Sequence, residues 1–331
     1  LAKGGQPQWY PEQKDFAAYR ITNSQGKTFS STDALIRSIV GEQVQTRHIE
    51  QKASALRRQL NNHYKRVQRK ETLQLETLRE AEGADSWRHQ GELLTASFHL
   101  IPTGQRSVQV PDYTLPNQPL VTIELDPRLS PSANIQRIFK RYNKAKASEK
   151  FTRVQLEKTQ EERRYLEDVL LQIELADDEL ILEEIERELT RLGYLKTQNK
   201  RRGAKATPPQ GPERYLSSDG VTILVGRNNQ QNDELTFRLS SPNHLWLHAR
   251  NIPGSHVVIL AEGDIPGETL VQGAHLAAYF SQSRTSPKVP VDYTLRRHVR
   301  KPRGAKPGFV HYEHAKTIMV NPAEFTLPPK A

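Results

Sequence analysis

The sequence predicts an α+β protein: a long antiparallel helical coiled-coil arm with a small mixed insert at its tip, followed by a compact α+β domain. Three observations carry this. From Asp33 to about Glu82 there is no proline, and Ile49, Ala53, Leu56, Leu60, His63 and Val67 recur in alternating steps of four and three, the spacing of a helical seam. A second long stretch follows Pro131, where three-and-four steps reach Tyr142, Ala145, Thr152, Leu156, Leu166, Leu170 and Ile173, with polar residues at intermediate positions. After Arg214, short strand-like runs recur around a single clear helix, the pattern of a mixed domain.

Composition bounds the rest. The 331 residues carry a net charge of +10 and 35% apolar residues, room for two or three domains. With glycine added the apolar share is only about 40%, against roughly 45–50% in ordinary globular chains, so much of the protein is surface. The longest uncharged apolar runs, such as residues 255–261, fall far short of the ~20 residues a bilayer-spanning helix needs, and no membrane insertion is expected. The absence of cysteine excludes disulfides, thiolate metal sites and a cysteine nucleophile. The opening Leu-Ala-Lys-Gly-Gly is neither a secretory leader nor a natural start, and the chain is expected to be a fragment of something longer.

In chain order, residues 1–32 read as the tail of a preceding domain, with a strand and a turn at Ser24-Gln25-Gly26. Ser31 or Thr32 caps the first long helix, 33–83. Residues 84–130 form the insert: a short helix, a turn at Pro102-Thr103-Gly104, and strands over 108–113 and 120–125. Ser130 as cap and Pro131 at the first helical position open the second long helix, 131–193. About 50 residues at 1.5 Å rise make each arm helix roughly 75 Å long. Each alone leaves its apolar stripe wet, so the two fold back on one another. Gly193 stops the helix, and 194–213 is a basic linker without apolar periodicity. In 214–331, strands are expected over 221–225, 235–239, 244–250, 256–261, 309–312 and 317–320, with a helix over 268–284.

Charge is unevenly spread. Residues 135–164 carry +6, 167–191 carry −8 and 284–316 carry +7. Solvated helix faces and a basic tail would explain such runs. The last run is interleaved with Gly, Pro and Tyr, which fits a polyanion site better. Three constellations follow. The tight connection 226–233, between two expected strands, holds Arg227, Asn228, Asn229, Gln230, Asn232 and Asp233. Arg227 can fork onto a phosphate and the amides can meet bases or riboses, or the segment can simply cap its own turn. Along 246–259, Trp246, His248 and Arg250 alternate onto one strand face, with Ser255 and His256 after a tight turn. This reads equally as a base-stacking platform and as a buried Trp with hydrogen-bonded histidines. The third is 284–308, with Arg284, Lys288, Tyr293, Arg300, Lys301 and Lys306, a backbone clamp stiffened by prolines.

No metal site is expected. His244 and His248 lie two steps apart on one strand face without a carboxylate or thiolate partner evident nearby. Walker, Gly-x-Ser-x-Gly and zincin motifs are absent. Asp219, Asp233 and His256 could form an acid–base set, but nothing supplies a nucleophile in register. A non-enzymatic role without cofactors is expected.

The chain resembles the NFACT family, the group of bacterial RqcH, eukaryotic NEMF and proteins named fibronectin-binding proteins. The resemblance runs from about residue 15 to the end, through 91-GELLTA-96, 130-SPSANIQRIFKRYNKAK-146, 164-RYLEDVL-170, 219-DGVTILVGRNNQQNDELT-236, 246-WLHARNIPGSHVVI-259, 276-LAAYFSQSR-284 and 288-KVPVDYTLRRHVRKPRGAKPG-308. It implies that 1 to about 40 is the end of an amino-terminal NFACT domain otherwise almost wholly absent. A coiled-coil and middle region follows, then an NFACT-R RNA-binding domain over 214–331. It further implies a cytoplasmic ribosome-associated quality-control factor. Such a factor binds the large ribosomal subunit, through rRNA, when that subunit carries an obstructed peptidyl-tRNA, and recruits tRNA for alanine tailing. Arg replaces Lys at several expected basic positions, which keeps charge but changes hydrogen-bond geometry. The rival expectation is a cell-surface adhesin for fibronectin, and a weaker one is a nuclease that needs a metal or nucleophile the sequence does not offer. The polynucleotide-binding expectation requires that the arginines and the asparagine-rich connection face outward.

Overall fold

The computed structural model describes residues 7–10, 15–17, 26–196, 210–324 and 328–330. The expected turn at 24–26 falls mostly outside the described residues, as does most of the basic linker. The chain divides into two compact units, one of residues 1–62 with 165–331 and one of 63–164.

Three short strands come first: β1 (Gln8–Tyr10), β2 (Asp15–Ala17) and β3 (Lys27–Thr28), antiparallel in the order β2-β1-β3. Helix α1 (Thr32–Glu82) follows, and Ser31 Oγ accepts from Ala34 N at 3.1 Å, the expected cap. Ile49, Ala53 and His63 are half-buried, and Leu56, Leu60 and Val67 are buried, so the seam positions are those withdrawn from solvent. Gly83 separates α1 from α2 (Ala84–Ala96).

Within 63–164, α2 packs on the hairpin of β4 (Ser107–Pro111) and β5 (Leu120–Glu124), which pairs Val108 with Ile123 and Val110 with Val121. Leu93, Leu94, Ile101, Val108, Val110, Ile123, Leu125 and Ile138 form its core. Gly91 is required there, because a Cβ would sit 2.9 Å from Phe139 Cζ. Helix α3 (Pro131–Leu175) opens as expected, Ser130 Oγ accepting from Ala133 N at 3.2 Å. Arg163 Nε of α3 meets Glu71 of α1 at 2.9 Å.

The second long helix does not run to Gly193. It ends at Leu175, and α4 (Glu179–Arg191) starts anew with Asp178 as cap, its carboxylate accepting from Leu180 N at 2.9 Å. Two adjacent aspartates supply the reason. Asp178 is better used as an N-cap than inside a helix, and Asp177 turns to Arg227.

The compact domain is a six-stranded antiparallel sheet, order β13-β10-β8-β9-β7-β6. Its strands are β6 (Glu213–Leu216), β7 (Thr222–Val225), β8 (Leu245–Ala249), β9 (Val257–Ile259), β10 (Val289–Leu295) and β13 (Lys316–Val320). Alternation splits the side chains between faces. Ile223, Val225, Leu245, Leu247, Val257, Ile259, Val289 and Val291 meet α6 (Gly267–Tyr279) on one face. Leu224, Trp246 and Val258 meet Leu235 of α5 (Asn229–Phe237) and Val299 on the other. Val299 belongs to a two-stranded ribbon of β11 (Val299–Arg300) and β12 (His311–Tyr312).

Two expectations fail here. Residues 226–233 are not a hairpin loop and 235–239 is not a strand, because α5 occupies both. Asn228 is extended (φ −150°, ψ 171°) and its side chain accepts from Gln231 N at 2.9 Å, while Gln231 Oε1 accepts from Arg227 N at 3.0 Å. This resembles a capping box, except that Gln231 reaches one residue further back, to the N–H before the cap, and the pattern was legible as Asn-x-x-Gln. The clamp 284–308 also contains β10, paired on both sides, where no strand was expected. Leu247 is fully buried in the larger core, so Leu247→Ala is expected to lower the unfolding free energy by about 2–5 kcal/mol. Urea unfolding should show this as a shifted midpoint with unchanged slope.

Candidate nucleic-acid interface

The amide-rich segment faces inward. The Arg227 side chain is 4% exposed and pairs with Glu213 Oε1 at 2.5 Å and Asp177 Oδ1 at 3.0 Å. It also donates to Leu175 O at 2.7 Å and lies 4.7 Å from the Phe280 ring centre. Asn228 Nδ2 and Gln231 Nε2 donate to Glu184 Oε2 at 2.6 and 3.0 Å, and Gln210 N donates to Glu184 Oε1 at 2.6 Å. Asn229 Oδ1 accepts from Gln172 of α3 at 2.8 Å, and Asn232 Oδ1 accepts from His256 N at 3.0 Å. Gln230 is half-buried. The expectation that Arg227, Asn228, Asn229 and Asn232 meet polynucleotide is therefore corrected. Their polarity satisfies buried carboxylates and backbone groups that would otherwise be unpaired.

Electrostatics follow the burial. Burial pushes the Glu188 carboxyl above its ordinary range, against the Tyr165 hydroxyl that donates to it at 2.7 Å. Burial also works to raise Glu213, but the Tyr215 hydroxyl, Arg227 and Lys330 together hold its carboxyl below the ordinary range.

The second constellation also closes on itself. Trp246 is fully buried, its ring stacked 5.7 Å from His248, edge-on to His256 at 5.1 Å and 4.9 Å from Tyr312. Tyr312 of the ribbon lies against Trp246, and with Trp246 and His256 buried neither ring is open to bases, while His248 is half-buried. Ser255 is buried and bonds through its backbone to Phe280 O at 3.0 Å. His256 Nδ1 lies 2.8 Å from Thr236 Oγ1. Burial first, then the neighbouring His248, holds the His256 imidazole well below its usual pKa, and burial lowers His248 too. Arg250 stays exposed and reaches Asp292 at 3.6 Å and Thr317 Oγ1 at 3.4 Å.

The basic segment divides. Lys301 pairs with Asp233, Lys306 bonds the Tyr194 hydroxyl, and Tyr293 packs toward the core beneath α6. Arg284 is exposed over Tyr279, and Lys288 is exposed before β10. Along the ribbon, Val299 and Tyr312 point inward while Arg300 and His311, paired across it, point out. Arg297, Arg303, His314 and Lys316 are exposed around it. The outward cations thus converge on 297–316, where Arg297, Arg303 and Lys316 join Arg300. Charge counting marked the stretch as cationic, but only the folded structure shows which of its cations face water, Arg300 by its place on β11 and the others on the segments around the ribbon.

Residues 2–208 match the family of NFACT N-terminal and middle domains, and 212–313 match the NFACT protein RNA binding domain. The chain belongs to the NFACT family. Among its relatives is the Rqc2 homolog RqcH of Streptococcus suis (strain 05ZYH33), 40% identical over 317 residues, which are 94% of this chain and 56% of that protein. The Rqc2 homolog RqcH of Bacillus subtilis (strain 168) is 37% identical over 311 residues, 93% of this chain and 54% of that protein. The chain thus spans a little over half the length of these relatives. Among solved structures, the C-terminal part of the fibronectin/fibrinogen-binding protein of Streptococcus suis is 37% identical with a TM-score of 0.66, covering 83% of this chain and 96% of that one. The outward Arg297, Arg300 and Arg303 and the buried amides lie within the stretch matched to the NFACT RNA-binding domain, and Lys316 lies just after it.

Two outcomes follow from the buried groups. Arg227→Gln leaves Glu213 without its guanidinium and is expected to cost about 3 kcal/mol of unfolding free energy, measured in urea, with no change in the salt slope of RNA binding. His256 and His248 have depressed folded pKa values, so the stability they contribute is present above about pH 6.5 and lost as pH falls. Unfolding free energy should drop between pH 7 and 5, by up to about 1.4 kcal/mol per pH unit for each imidazole. His256→Gln should flatten that fall, and an unaltered slope would place its origin elsewhere.

Proposed function

We propose that this chain is the middle and RNA-binding portion of a ribosome-associated quality-control factor. In this reading it binds the large ribosomal subunit carrying obstructed peptidyl-tRNA, recruits tRNA for alanine tailing, works in the cytoplasm and performs no covalent step of its own. Peptide transfer belongs to the ribosome. The observation that carries the proposal is the set of exposed arginines on and around the ribbon, Arg297, Arg300 and Arg303, within a stretch matched to an RNA-binding domain. Relatives named Rqc2 homolog RqcH across more than nine-tenths of the chain support it. The buried amides and histidines play no direct part in RNA contact.

A fibronectin-binding adhesin is the second reading, favoured by the name of the structural relative from Streptococcus suis. The two differ in salt response. RNA binding through six to ten phosphates should weaken by about 10³ to 10⁵ between 50 and 200 mM salt. Fibronectin binding that survives high salt and is lost on altering one compact patch would favour the adhesin.

The decisive variant is Arg300→Glu with Arg303→Glu. Affinity for tRNA and for large subunits should fall, the slope of log affinity against log salt should lessen by about 1.5, and thermal unfolding should stay within a degree or two. A native chain whose binding ignores salt would overturn the proposal.

A further inference from the structure

Lys306 carries a charge that sequence reasoning assigned to the polyanion site, yet it turns inward. Its ammonium lies 4.7 Å from the Tyr165 ring centre and 4.8 Å from that of Tyr194, and it bonds the Tyr194 hydroxyl. The two rings stack 5.7 Å apart at 26°. One comes from α3 and the other follows α4, and the Tyr165 hydroxyl is itself fixed by buried Glu188 at 2.7 Å. Around this slot, residues 301–308 are tied down repeatedly. Lys301 pairs with Asp233, whose other oxygen accepts from Gly308 N at 3.1 Å. Gly304 and Gly308 have φ of +80° and +78°, and a Cβ on Gly308 would fall 2.3 Å from Asn229 Oδ1. The loop therefore leaves and returns by turns that favour glycine. Arg300 and Arg303 remain exposed on it.

We propose that Lys306, with Tyr165 and Tyr194 as its aromatic slot, is a positioning residue that presets the basic ribbon, and that it never touches the polynucleotide. The phosphodiester backbone is met by Arg300 and Arg303. This rests on the RNA-binding reading above and divides its cations into anchors and contacts. A cation held against two rings loses those interactions if it moves to a phosphate. A loop ordered beforehand spares binding the cost of ordering it. Because the slot is built from a residue of α3 and one just after α4, both outside the stretch matched to the RNA-binding domain, grip on RNA depends on the helical segment as well as on the sheet.

Salt dependence separates the roles, since each phosphate contact adds about 0.7 to 0.9 to the slope of log affinity against log salt. With unfractionated tRNA and the full chain, Lys306→Gln should weaken binding roughly five- to tenfold and leave the slope unchanged. Arg303→Gln should lower the slope by about 0.7 to 0.9. Tyr194→Leu should reproduce the Lys306→Gln loss, the double variant should add nothing further, and Lys306→Arg should restore affinity. Amide exchange over 301–310 should quicken in both single variants while the rest of the sheet stays protected, a readout that holds whether or not the variants bind. A slope that falls on Lys306→Gln, additive losses in the double variant, or unchanged exchange would each overturn the proposal. A native chain that fails to bind tRNA at low salt would overturn the RNA reading together with it.

Discussion

Carboxylates held away from water must be given hydrogen bonds, and the joint between the helices and the sheet domain is organised by that requirement. Glu184 on α4 receives three donors, from Asn228, Gln231 and the Gln210 backbone. Arg227 is nearly sealed between Glu213, Asp177 and the end of α3. Taking such groups out of water is costly, and only near-complete pairing offsets it. The geometry is correspondingly specific. A slip of α5 by one residue would orphan several buried charges at once, whereas an apolar joint would tolerate it.

That joint sets what the rest of the domain can present. Gly226 sits against Asn232 so closely that a Cβ would fall 2.1 Å from Asn232 Oδ1, and Asn232 in turn accepts from the His256 backbone. His256 leads to Thr236 and to the rings around Trp246. Tyr312 of the ribbon rests on Trp246, so a chain of contacts runs from the buried carboxylates to the strand pair that carries the exposed arginines. Arg300 and His311 lie on the outward face of the ribbon, whose opposite residues, Val299 and Tyr312, pack on the core.

The middle unit is built on different terms. Its small hairpin and α2 share an apolar core with the first turns of α3, and its polar features lie at the rim. Asp126 accepts from the Arg128 side chain and backbone, which holds its carboxyl at about 2. Being exposed to solvent, such pairs contribute little to stability. Apolar burial therefore dominates there, while ion and amide pairing dominates at the joint.

Periodicity and caps, both local properties, determined much of this protein from sequence alone. The Ser31 and Ser130 caps, the seam of α1, the insert hairpin and most strands of the sheet were legible because each follows from a few neighbouring residues. The helix break at Asp177-Asp178 and the Asn228 cap were also written locally, but a run of acids and a run of amides resemble a solvated face and a turn. The direction in which a polar residue points was decided only by tertiary structure. Arg227 and Arg300 have the same side chain in similarly polar surroundings along the chain. One faces a carboxylate from the turn between α3 and α4, another from β6 and the last carbonyl of α3, and the other faces water, because burial is set by partners distant in sequence. Charge counting therefore located the cationic stretch, and the tertiary partners available to each side chain decided which of its cations face solvent.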